Sequence, residues 1–527
     1  MSAERRRELF AALAVAAVTG ALLFGVWRQP GGRVAALDDP LQDLITTQMP
    51  TPRGHVDRVT VILVDDDSLL RLGEQWPLSR TTWARFFRAL HKHNPAVVAV
   101  DAWFEVPAAR DRVAQALNLA DRLRDSGLVE LPEGETLVNE LEQQAMLLDG
   151  DRQMAEALAD LTAGLLGMVC QDVGHEVGVG DVSAEPMSVP GVSADDVSLH
   201  CRGLATSIAS LVASAQGQGG LQVLPGRDGI IRRYPYAFAV GAKLYPSLAL
   251  AAVRVAAPEQ ADALTRAALA ADRGTPLLRE LPLDQVRTLA FAELLEGNTE
   301  ERIIEAALRD RIVLVGVSAQ GTEDFVDTPG QRRIPGVFVH ANAAIGLLDG
   351  GLVRSTGEPV NQALAVGLVC LLLMLLVGHR VERALIALAV GLASTLAWVG
   401  VAVAMRGEGW AVPMVPMLTG CLLWTGARLW LRYLQLDAGR RQAKAIRAAF
   451  AHYLAPEVIA SLVADPDRLK LGGQRLEITA FFTDVANFTT ISEQMEPADL
   501  VRLLNECLGG MTSVIAEEGG IVDKYIG

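Results

Sequence analysis

Positive charge is scarce in this sequence of 527 residues, where 47 lysines and arginines stand against 62 aspartates and glutamates. The formal net charge is −15, and the chain has no patch of clustered lysine and arginine of the kind that neutralises nucleic-acid phosphates. We therefore expect no nucleic-acid partner. Charge of either sign is also missing from the interior of the long apolar runs described next, where Arg428, near the end of the last run, is the one charged residue. A transport pathway would need intramembrane charges. A transporter or channel is accordingly disfavoured.

Apolar residues are abundant instead. They make up 50% of the chain, and the mean hydropathy is +0.27, which indicates membrane segments rather than a wholly soluble protein. Four runs are long enough to cross a bilayer, and we predict transmembrane helices at residues 9–27, 360–378, 384–405 and 410–431. A buried core helix can be equally apolar, but three such runs in quick succession favour a membrane bundle. The first run also resembles a signal peptide, but its length favours an uncleaved anchor.

The positive residues that do occur lie beside these runs and predict a topology. Arginines occupy residues 5–7, the connector 379–383 is basic, and several arginines and Lys444 follow the last run. By the positive-inside rule these segments are cytoplasmic. The N-terminal residues 1–8, a helical linker at 432–474 and the end of the chain are then inside, and residues 30–355 lie outside. We expect a multi-pass protein of the cell inner membrane.

The outer residues have the pattern of a mixed α/β domain. Continuous apolar runs at 59–64, 96–100, 165–169 and 312–317 are typical of strands buried in a parallel sheet. Between the first two, the large apolar residues recur at helical spacing, at Trp83, Phe86, Phe87 and Leu90. Residues 106–160 predict added helices, and residues 224–230 predict a hairpin turn between two strands.

Four aspartates follow predicted strands in this region. Asp65, Asp66 and Asp67 come after the first strand, and Asp101 comes after the second. Ligands of open α/β sheets bind beyond the carboxyl ends of the strands, so a cation or another polar ligand is one interpretation. Helix caps and turns are the commoner use of such aspartates and are the favoured interpretation. The sequence does not indicate which extracytoplasmic ligand is sensed.

Cysteine is scarce, and Cys170 and Cys201 are the only two in the outer region. An oxidising compartment permits a disulfide between them, but the sequence does not show that their geometry fits, so pairing stays open. Cys370 and Cys421 fall inside predicted spans and are interpreted as small apolar residues. Cys507 lies on the apolar stripe of a predicted helix and is expected in a core.

The last segment, 475–527, predicts a strand, a helix and a second strand. The first strand, 478–482, is apolar, β-branched and aromatic and ends beside Asp484, and the second, 521–527, carries Lys524. Adjacent strands would bring these two residues together. Otherwise, an aspartate at a strand end is most often a turn former, and a lone lysine is a solvated surface charge. The intervening helix is predicted to start at Pro497 and to stop at a Gly-Gly pair at 519–520.

Several stretches of the outer region resemble a known family. They are residues 65–69 (DDDSL), 76–80 (WPLSR), 100–104 (VDAWF), 226–233 (GRDGIIRR), 245–247 (YPS) and 335–342 (PGVFVHAN). Together they are similar to the second family of CHASE extracytoplasmic sensor domains, and the match covers most of residues 35–355. This resemblance implies one N-terminal span, three later spans and a cytoplasmic output domain, which is the arrangement that hydropathy and charge predict.

The last segment resembles class III nucleotidyl cyclases at residues 481–489 (FFTDVANFT) and 523–527 (DKYIG). The resemblance implies catalytic roles for Asp484 and Lys524, with a two-metal site for Mg²⁺ or Mn²⁺ held by Asp484 and the backbone carbonyl of Val485. It implies that Lys524, Phe488 and Thr489 contact the substrate. A lysine offers only donors, which match the N1 acceptor of adenine, so ATP is favoured over GTP. A homodimer is implied because the family's active site forms between two subunits.

The resemblance is incomplete at its end. In the family, the glycine that corresponds to Gly527 is followed by the second metal-binding aspartate, and later residues complete the site, so we expect a C-terminally truncated form. The predicted fold is an α/β extracytoplasmic sensor, four transmembrane helices and the start of an α+β cyclase domain. Its predicted function is a membrane sensor coupled to adenylate cyclase, which converts ATP to cyclic AMP and diphosphate. A non-catalytic receptor, whose cyclase segment only dimerises or binds a partner, is the alternative, and a guanylate cyclase is a weaker one.

Overall fold

The computed structural model describes residues 33–48, 54–108, 110–126, 132–171, 185–271, 273, 275–278, 283–297, 300–322, 324–355, 358–378, 384–450 and 477–526. The predicted first span and residues 451–474 of the predicted linker lie outside the described residues. The chain divides into two units, Met1–Val381 with Leu388–Trp424, and Glu382–Ala387 with Thr425–Gly527.

The α-helices, numbered in chain order, are α1 Arg33–Gln48, α2 Asp66–Leu72, α3 Arg80–His91, α4 Arg110–Asp125, α5 Pro132–Leu148, α6 Gly150–Ala159, α7 Ala209–Ser214, α8 Leu248–Ala256, α9 Ala261–Ala270, α10 Phe291–Glu296, α11 Glu301–Leu308, α12 Val337–Leu348, α13 Glu358–Gly378, α14 Ala384–Gly407, α15 Val415–Phe450, α16 Phe488–Gln494 and α17 Pro497–Glu517. Single 3₁₀ turns lie at Val56–Arg58, Ala194–Asp196 and Leu283–Gln285. The helices predicted within residues 106–160 are confirmed as α4, α5 and α6.

The strands are β1 Val59–Val64, β2 Val97–Val100, β3 Gly164–Gln171, β4 His200–Cys201, β5 Gly203–Ala205, β6 Gly217–Gly220, β7 Leu224–Pro225, β8 Ile231–Arg233, β9 Ala237–Val240, β10 Lys243–Pro246, β11 Arg287–Ala290, β12 Ile312–Val317, β13 Phe325–Thr328 and β14 Gln331–Pro335. The main sheet has the order β11, β1, β12, β2, β3, β5, and β6 also pairs with β3. The pairs from β11 to β3, and the pair of β3 with β6, are parallel. The four predicted strands are thus confirmed, as is the hairpin of β7 and β8.

Both faces of the central strands β1, β2 and β12 are buried, which explains why these strands are apolar at nearly every position rather than at alternate ones. One face packs against α3, α6 and α11, and the other against α8 and α12. Trp83, Phe86, Phe87 and Leu90 of α3 are all at most 2% exposed, as their spacing predicted. Burying each of these side chains contributes about 2–3 kcal/mol.

The predicted later spans fall on helices. Residues 360–378 lie in α13 and residues 384–405 in α14, while the span predicted at 410–431 begins only at Val415 and continues as α15 to Phe450. Among the described residues, one helix, Leu385–Gly407, is long and apolar enough to cross a membrane. One candidate span is therefore present where four were predicted, and the remaining three stay predictions.

The segment 477–526 contains the predicted helix but neither predicted strand. The helix, α17, starts at Pro497 and is followed by Gly519 in a left-handed conformation, with φ of 77°. The predicted strands are wrong in this structure: residues 477–485 and 521–526 carry no strand, and Phe482 and Ile526 are 85% and 80% exposed. A strand is stabilised by a hydrogen-bonded neighbour, and within the described residues neither run has one. Cys507 is exposed, so its predicted place in a core is also wrong.

Candidate functional site

Three of the four aspartates at the carboxyl edge of the sheet have structural roles. Asp65 caps α2 by accepting the backbone N–H of Ser68 at 2.8 Å. Asp66 accepts the backbone N–H of Gln320 at 2.9 Å. Asp67 is exposed and pairs with Arg71 one helical turn later, at 3.3 Å. The helix-cap interpretation is thus confirmed for Asp65, whereas Asp66 bonds a distant backbone group and Asp67 forms an ion pair.

Asp101 is different, because it follows β2 and caps no described helix. Its side chain is 7% exposed, and its backbone N–H is bonded to the carbonyl of Val315 in the neighbouring strand β12. One carboxylate oxygen, Oδ1, lies 3.6 Å from Nε2 of His340. The other, Oδ2, is buried and has no hydrogen-bond partner among the described residues. Burial disfavours the charged form and raises the pKa of Asp101 to about 7.

His340 joins Asp101 to a tyrosine on the other side of the ring. It lies on α12 with 2% of its side chain exposed, and its Nδ1 is 2.7 Å from the hydroxyl of Tyr234. That hydroxyl also accepts the backbone N–H of Ala249, at 3.3 Å. Burial lowers the pKa of His340 to about 4, so the ring is neutral near pH 7. A neutral ring that accepts from Tyr234 at Nδ1 presents its remaining N–H to Asp101.

Asp324 completes this group from the residue before β13. Its backbone carbonyl accepts the N–H of Gly336, which immediately precedes α12, at 2.9 Å. Its carboxylate packs so closely on that glycine that a Cβ at position 336 would lie 2.5 Å from Oδ1. Burial, and then the charge of Asp101, raise the pKa of Asp324 to about 8. We refer to Asp101, Tyr234, Asp324 and His340 as the Asp101 cluster.

The sequence singled out only Asp101 of these four. Tyr234, Asp324 and His340 come from distant segments that meet because β12 lies between β1 and β2 in the sheet. The sequence does contain a pattern that could have identified His340, because it is the one ionisable residue in the apolar helix Val337–Leu348. For Asp324 no such local signal exists, since it stands in a polar stretch of chain.

The open question of the two outer cysteines is resolved by the structure. Cys170 in β3 and Cys201 in β4 form a disulfide, with their Cα atoms 5.5 Å apart and 31 positions apart in sequence. Such a bond is typical of an oxidising compartment outside the cytoplasm. It ties the main sheet to the small sheet of β10, β9 and β4.

The helix α1 connects the α/β domain to the start of the apolar helices. One side of α1 faces Arg232 of β8, whose side chain is 8% exposed and bonds Asp43 through two contacts of 2.8 Å. Asp228 of the hairpin turn binds the same guanidinium at 2.7 and 2.9 Å. The pKa of Asp228 falls to about 2 because it accepts these charge-assisted bonds.

The neighbouring side of α1 faces the membrane-type helices. Asp38 accepts the backbone N–H groups of Met414 and Val415, at 2.7 and 2.9 Å, and so caps the first turn of α15. One turn further along, the Gln42 amide donates to the carbonyl of Val412 at 2.8 Å. At the next turn, Thr46 accepts from Arg406 of α14 at 2.6 Å. Asp38, Gln42 and Thr46 recur every four residues, and we call them the polar seam of α1.

The residues predicted for a cyclase site are at the surface of the second unit. Asp484 and Lys524 are exposed, and Lys524 lies 3.6 Å from its neighbour Asp523. No contact between described residues joins Asp484 to Lys524. The carbonyl of Val485 accepts the N–H of Phe488 at 3.2 Å, so these two residues are brought together at the start of α16, where Thr489 follows.

The donor atoms at this place suit a hard divalent ion. Mg²⁺ is usually held by one or two carboxylates together with substrate phosphates, and Asp484 offers an exposed carboxylate. The carbonyl of Val485 retains a second lone pair beside its bond to Phe488. Among the described residues, no group of three or more His, Cys, Asp or Glu is arranged to hold a metal by protein ligands alone. The residues therefore fit part of a site that substrate would complete.

Taken together, an α/β domain held against apolar helices by α1 has the organisation of a membrane-attached sensor. The profile of the CHASE2 domain matches residues 13–379, and the chain belongs to this family. CHASE2 domains are extracytoplasmic sensors of membrane proteins. No solved structure matches the chain.

Short segments of the chain are similar to curated proteins, among them two that are named adenylate cyclases. An adenylate cyclase of Anabaena cylindrica is 46% identical over 50 residues, which are 10% of this chain and 10% of that protein. Adenylate cyclase 1 of Rhizobium meliloti (strain 1021) is 29% identical over 92 residues, 18% of this chain and 14% of that protein. An uncharacterized protein of Mycobacterium tuberculosis (strain ATCC 25618 / H37Rv) is 31% identical over 90 residues, 17% and 16% of the two chains. The matched segments thus span about a tenth to a sixth of these relatives.

Proposed function

We propose that the chain is the sensor and the beginning of the output domain of a membrane-bound class III adenylate cyclase. The observation that carries the proposal is the combination of a CHASE2 domain with the residues 481–489 and 523–527 in one chain that is also similar to adenylate cyclases. The reaction is formation of cyclic AMP and diphosphate from ATP. The ribose 3′-hydroxyl attacks the α-phosphorus, and the bond from that phosphorus to the diphosphate oxygen breaks.

In this proposal the residues of the second unit bind and orient ATP. Asp484 and the carbonyl of Val485 hold Mg²⁺ or Mn²⁺, and Phe488 and Thr489 lie beside the substrate. The chemistry that such an ion supplies is stabilisation of charge on the attacking and leaving oxygens. The ammonium group of Lys524 donates to N1 of adenine, which selects ATP over GTP because N1 of guanine carries a hydrogen.

The proposed arrangement in the cell has four spans in the inner membrane, the CHASE2 domain outside and the cyclase segment inside. A homodimer supplies the two halves of the catalytic site. Residues 478–482 and 521–526 carry exposed apolar side chains. Exposed apolar patches often mark protein–protein contacts, so these residues support a dimer interface in the second unit.

Within the first unit, α1 is the proposed route by which the sensor domain acts on the membrane helices. Arg232 binds Asp43 on one side of α1, and Asp38 of the polar seam caps the first turn of α15 on the other. A displacement of β8 is thereby applied to the start of α15, the helix that continues to Phe450.

The test is cyclic AMP formation by membranes that contain the full-length protein in a host without its own adenylate cyclase. We expect turnover of ATP with Mg²⁺ or Mn²⁺ and a loss of at least about a hundredfold in Asp484→Ala, as for removal of a group that stabilises charge in a transition state. The matched control is Glu493→Ala, because Glu493 is also an exposed acid of this segment.

A non-catalytic receptor is the second candidate, and the exposed apolar runs favour it equally because they suit partner binding. If the protein is a non-catalytic receptor, membranes that contain it should turn over neither ATP nor GTP. The protein should nevertheless dimerise, and Phe482→Ser should weaken the dimer. A guanylate cyclase would instead turn over GTP in preference to ATP.

A further inference from the structure

The Asp101 cluster contains one buried carboxyl group, that of Asp101, and one half-buried carboxyl group, that of Asp324, and no described lysine or arginine pairs with either. Asp101 is 7% exposed, and its Oδ2 has no partner among the described residues. A buried acceptor without a partner costs about 1–3 kcal/mol, and an ionised carboxylate costs considerably more. Such a group is usually retained for a reason other than stability, because an apolar residue would remove the cost.

We propose that the Asp101 cluster is a proton-binding site through which the CHASE2 domain responds to the pH outside the membrane. The proposal rests on the proposed function for its output, since it names the stimulus that the sensor would pass on. The site takes up a proton on the buried carboxyl group of Asp101, beside the ring of His340, and loses it as the outer pH rises.

The groups that face these carboxyls come from four segments. Asp101 follows β2, Asp324 precedes β13, His340 lies on α12, and Tyr234 lies between β8 and β9. The ring of Tyr236 packs on that of Tyr234 at 5.1 Å, but its hydroxyl donates away from the cluster to the carbonyl of Ala343. Among the described residues, no ion pair joins an arginine or lysine to Asp101, Asp324 or His340, and the charged-type contact of Asp101 is with the His340 ring, 3.6 Å away. A proton is therefore the available means of removing negative charge here.

A metal ion is a poorer occupant than a proton. The described residues contain no group of three His, Cys, Asp or Glu with metal-binding geometry. The Nδ1 atom of His340 is engaged by Tyr234, and Nε2 stands 3.6 Å from Asp101. The ring thus acts as a neutral neighbour that offers an N–H to Asp101.

The direction of the pKa shifts supports the same conclusion. Burial raises the pKa of Asp101 to about 7, and burial with the charge of Asp101 raises that of Asp324 to about 8. Because the two carboxyls interact, the two apparent values belong to the pair rather than to either residue. The pair is therefore largely protonated at pH 6 and loses its protons progressively as the pH rises through about 7 to 8, which lies within ordinary changes in the medium.

Ionisation has a direct mechanical consequence at α12. Two negative charges in a buried site repel each other, and Asp324 is the partner with partial access to solvent. Its carboxylate rests on Gly336, and its carbonyl accepts the Gly336 N–H at the start of α12. Movement of Asp324 toward water therefore loosens the first turn of α12, and α13 begins ten residues after α12 ends.

The experiment is hydrogen exchange, followed by mass spectrometry, on the full-length protein in lipid nanodiscs between pH 5.5 and 8.5. After correction for the intrinsic pH dependence of exchange, we expect opening of residues 318–342 to increase with pH. The slope cannot exceed about tenfold per pH unit for each proton released. Asp101→Asn and Asp324→Asn should flatten this slope, whereas Asp67→Asn, an exposed aspartate at the same sheet edge, should keep it.

A second measurement keeps the test decisive if a variant folds poorly. Infrared difference spectra of the unmodified protein between pH 6 and pH 8.5 should show loss of a buried protonated carboxyl band. Absence of that band, or an unchanged exchange slope in folded Asp101→Asn, would overturn the proton site. If the protein forms cyclic AMP but residues 318–342 show no pH-dependent opening, the proton site is refuted and the proposed function stands. If residues 318–342 open with pH but the protein forms no cyclic AMP, the proton site stands and the proposed function is refuted.

Discussion

The contact of Asp38 with the first turn of α15 can be tested by a matched pair of substitutions. In Asp38→Ala two backbone N–H groups, those of Met414 and Val415, lose their acceptor in a place where Asp38 is only 8% exposed. Loss of an N-cap costs about 0.5–2 kcal/mol, and a buried unsatisfied donor costs about 1–3 kcal/mol. Burial also raises the pKa of Asp38, so part of the gain is offset by desolvation of the carboxylate. We therefore expect a net loss of about 2–3 kcal/mol.

Asp38→Asn is the control because asparagine caps helices as well as aspartate does and keeps one oxygen for the two N–H groups. Thermal unfolding of the full chain in detergent measures the difference. At about 2 °C per kcal/mol, Asp38→Ala should lower the Tm by about 4–6 °C and Asp38→Asn by less than about 2 °C. Equal Tm values for Asp38→Ala and the unmodified protein would refute the assigned role of the cap. An Asn variant as unstable as the Ala variant would show that charge, rather than hydrogen-bond geometry, is what matters.

Three further predictions concern the α/β domain. Gly336→Ala places a Cβ 2.5 Å from Oδ1 of Asp324 and should cost about 1–3 kcal/mol, measured as a lower Tm; Gly346→Ala, where the nearest atom is 3.9 Å away, should cost less. Replacing Cys170 and Cys201 by serine should cost about 2–4 kcal/mol, whereas Cys507→Ser, at an exposed free cysteine, should leave the Tm within about 1 °C. Finally, the free energy of unfolding should fall as pH rises from about 6.5 to 8, because the folded Asp101 and Asp324 still bind protons that the unfolded chain has lost. The lowered pKa of His340 acts in the opposite direction chiefly between about pH 4 and 6.5, and its effect fades above that range. The carboxyl contribution therefore dominates in denaturant titrations at pH 6.5, 7.2 and 8, and a flat profile would contradict it.

The main sheet could be predicted from the sequence because its signal is local. A strand that is buried on both faces is apolar at nearly every position, as Val59–Val64 and Ile312–Val317 are, and the one polar side chain of the first strand, Thr60, donates a hydrogen bond to the carbonyl of Ala307. The helix Arg80–His91 has a similarly local signal in its four large apolar residues. What those patterns do not contain is the order of the strands, and that order is what brings Asp324 and His340 to Asp101.

For the two strands predicted in the last segment, a local pattern was not sufficient to predict the structure. Residues 478–482 are apolar and β-branched enough for a strand, yet in the structure Phe481 and Phe482 are 74% and 85% exposed. A strand gains its backbone hydrogen bonds from a neighbour, and apolar side chains alone do not supply one. The helix Pro497–Glu517 forms nevertheless, since all of its backbone hydrogen bonds are internal. This difference also explains why Asp484 and Lys524, which depend on adjacent strands to meet, are not brought together here.

The buried residues of the polar seam fix the position of α1 against the apolar helices. Asp38, Gln42 and Thr46 are at most 9% exposed, and each bonds a specific atom of the segment from Arg406 to Val415. Well-packed apolar side chains could stabilise the contact as much, because buried polar pairs gain little net free energy after desolvation. Apolar side chains would, however, allow α1 to slide or rotate, whereas directional bonds repeated every four residues are satisfied in one register only. A helix that must transmit a displacement benefits from that restriction, so we expect an apolar replacement of Gln42 to weaken coupling more than it weakens folding.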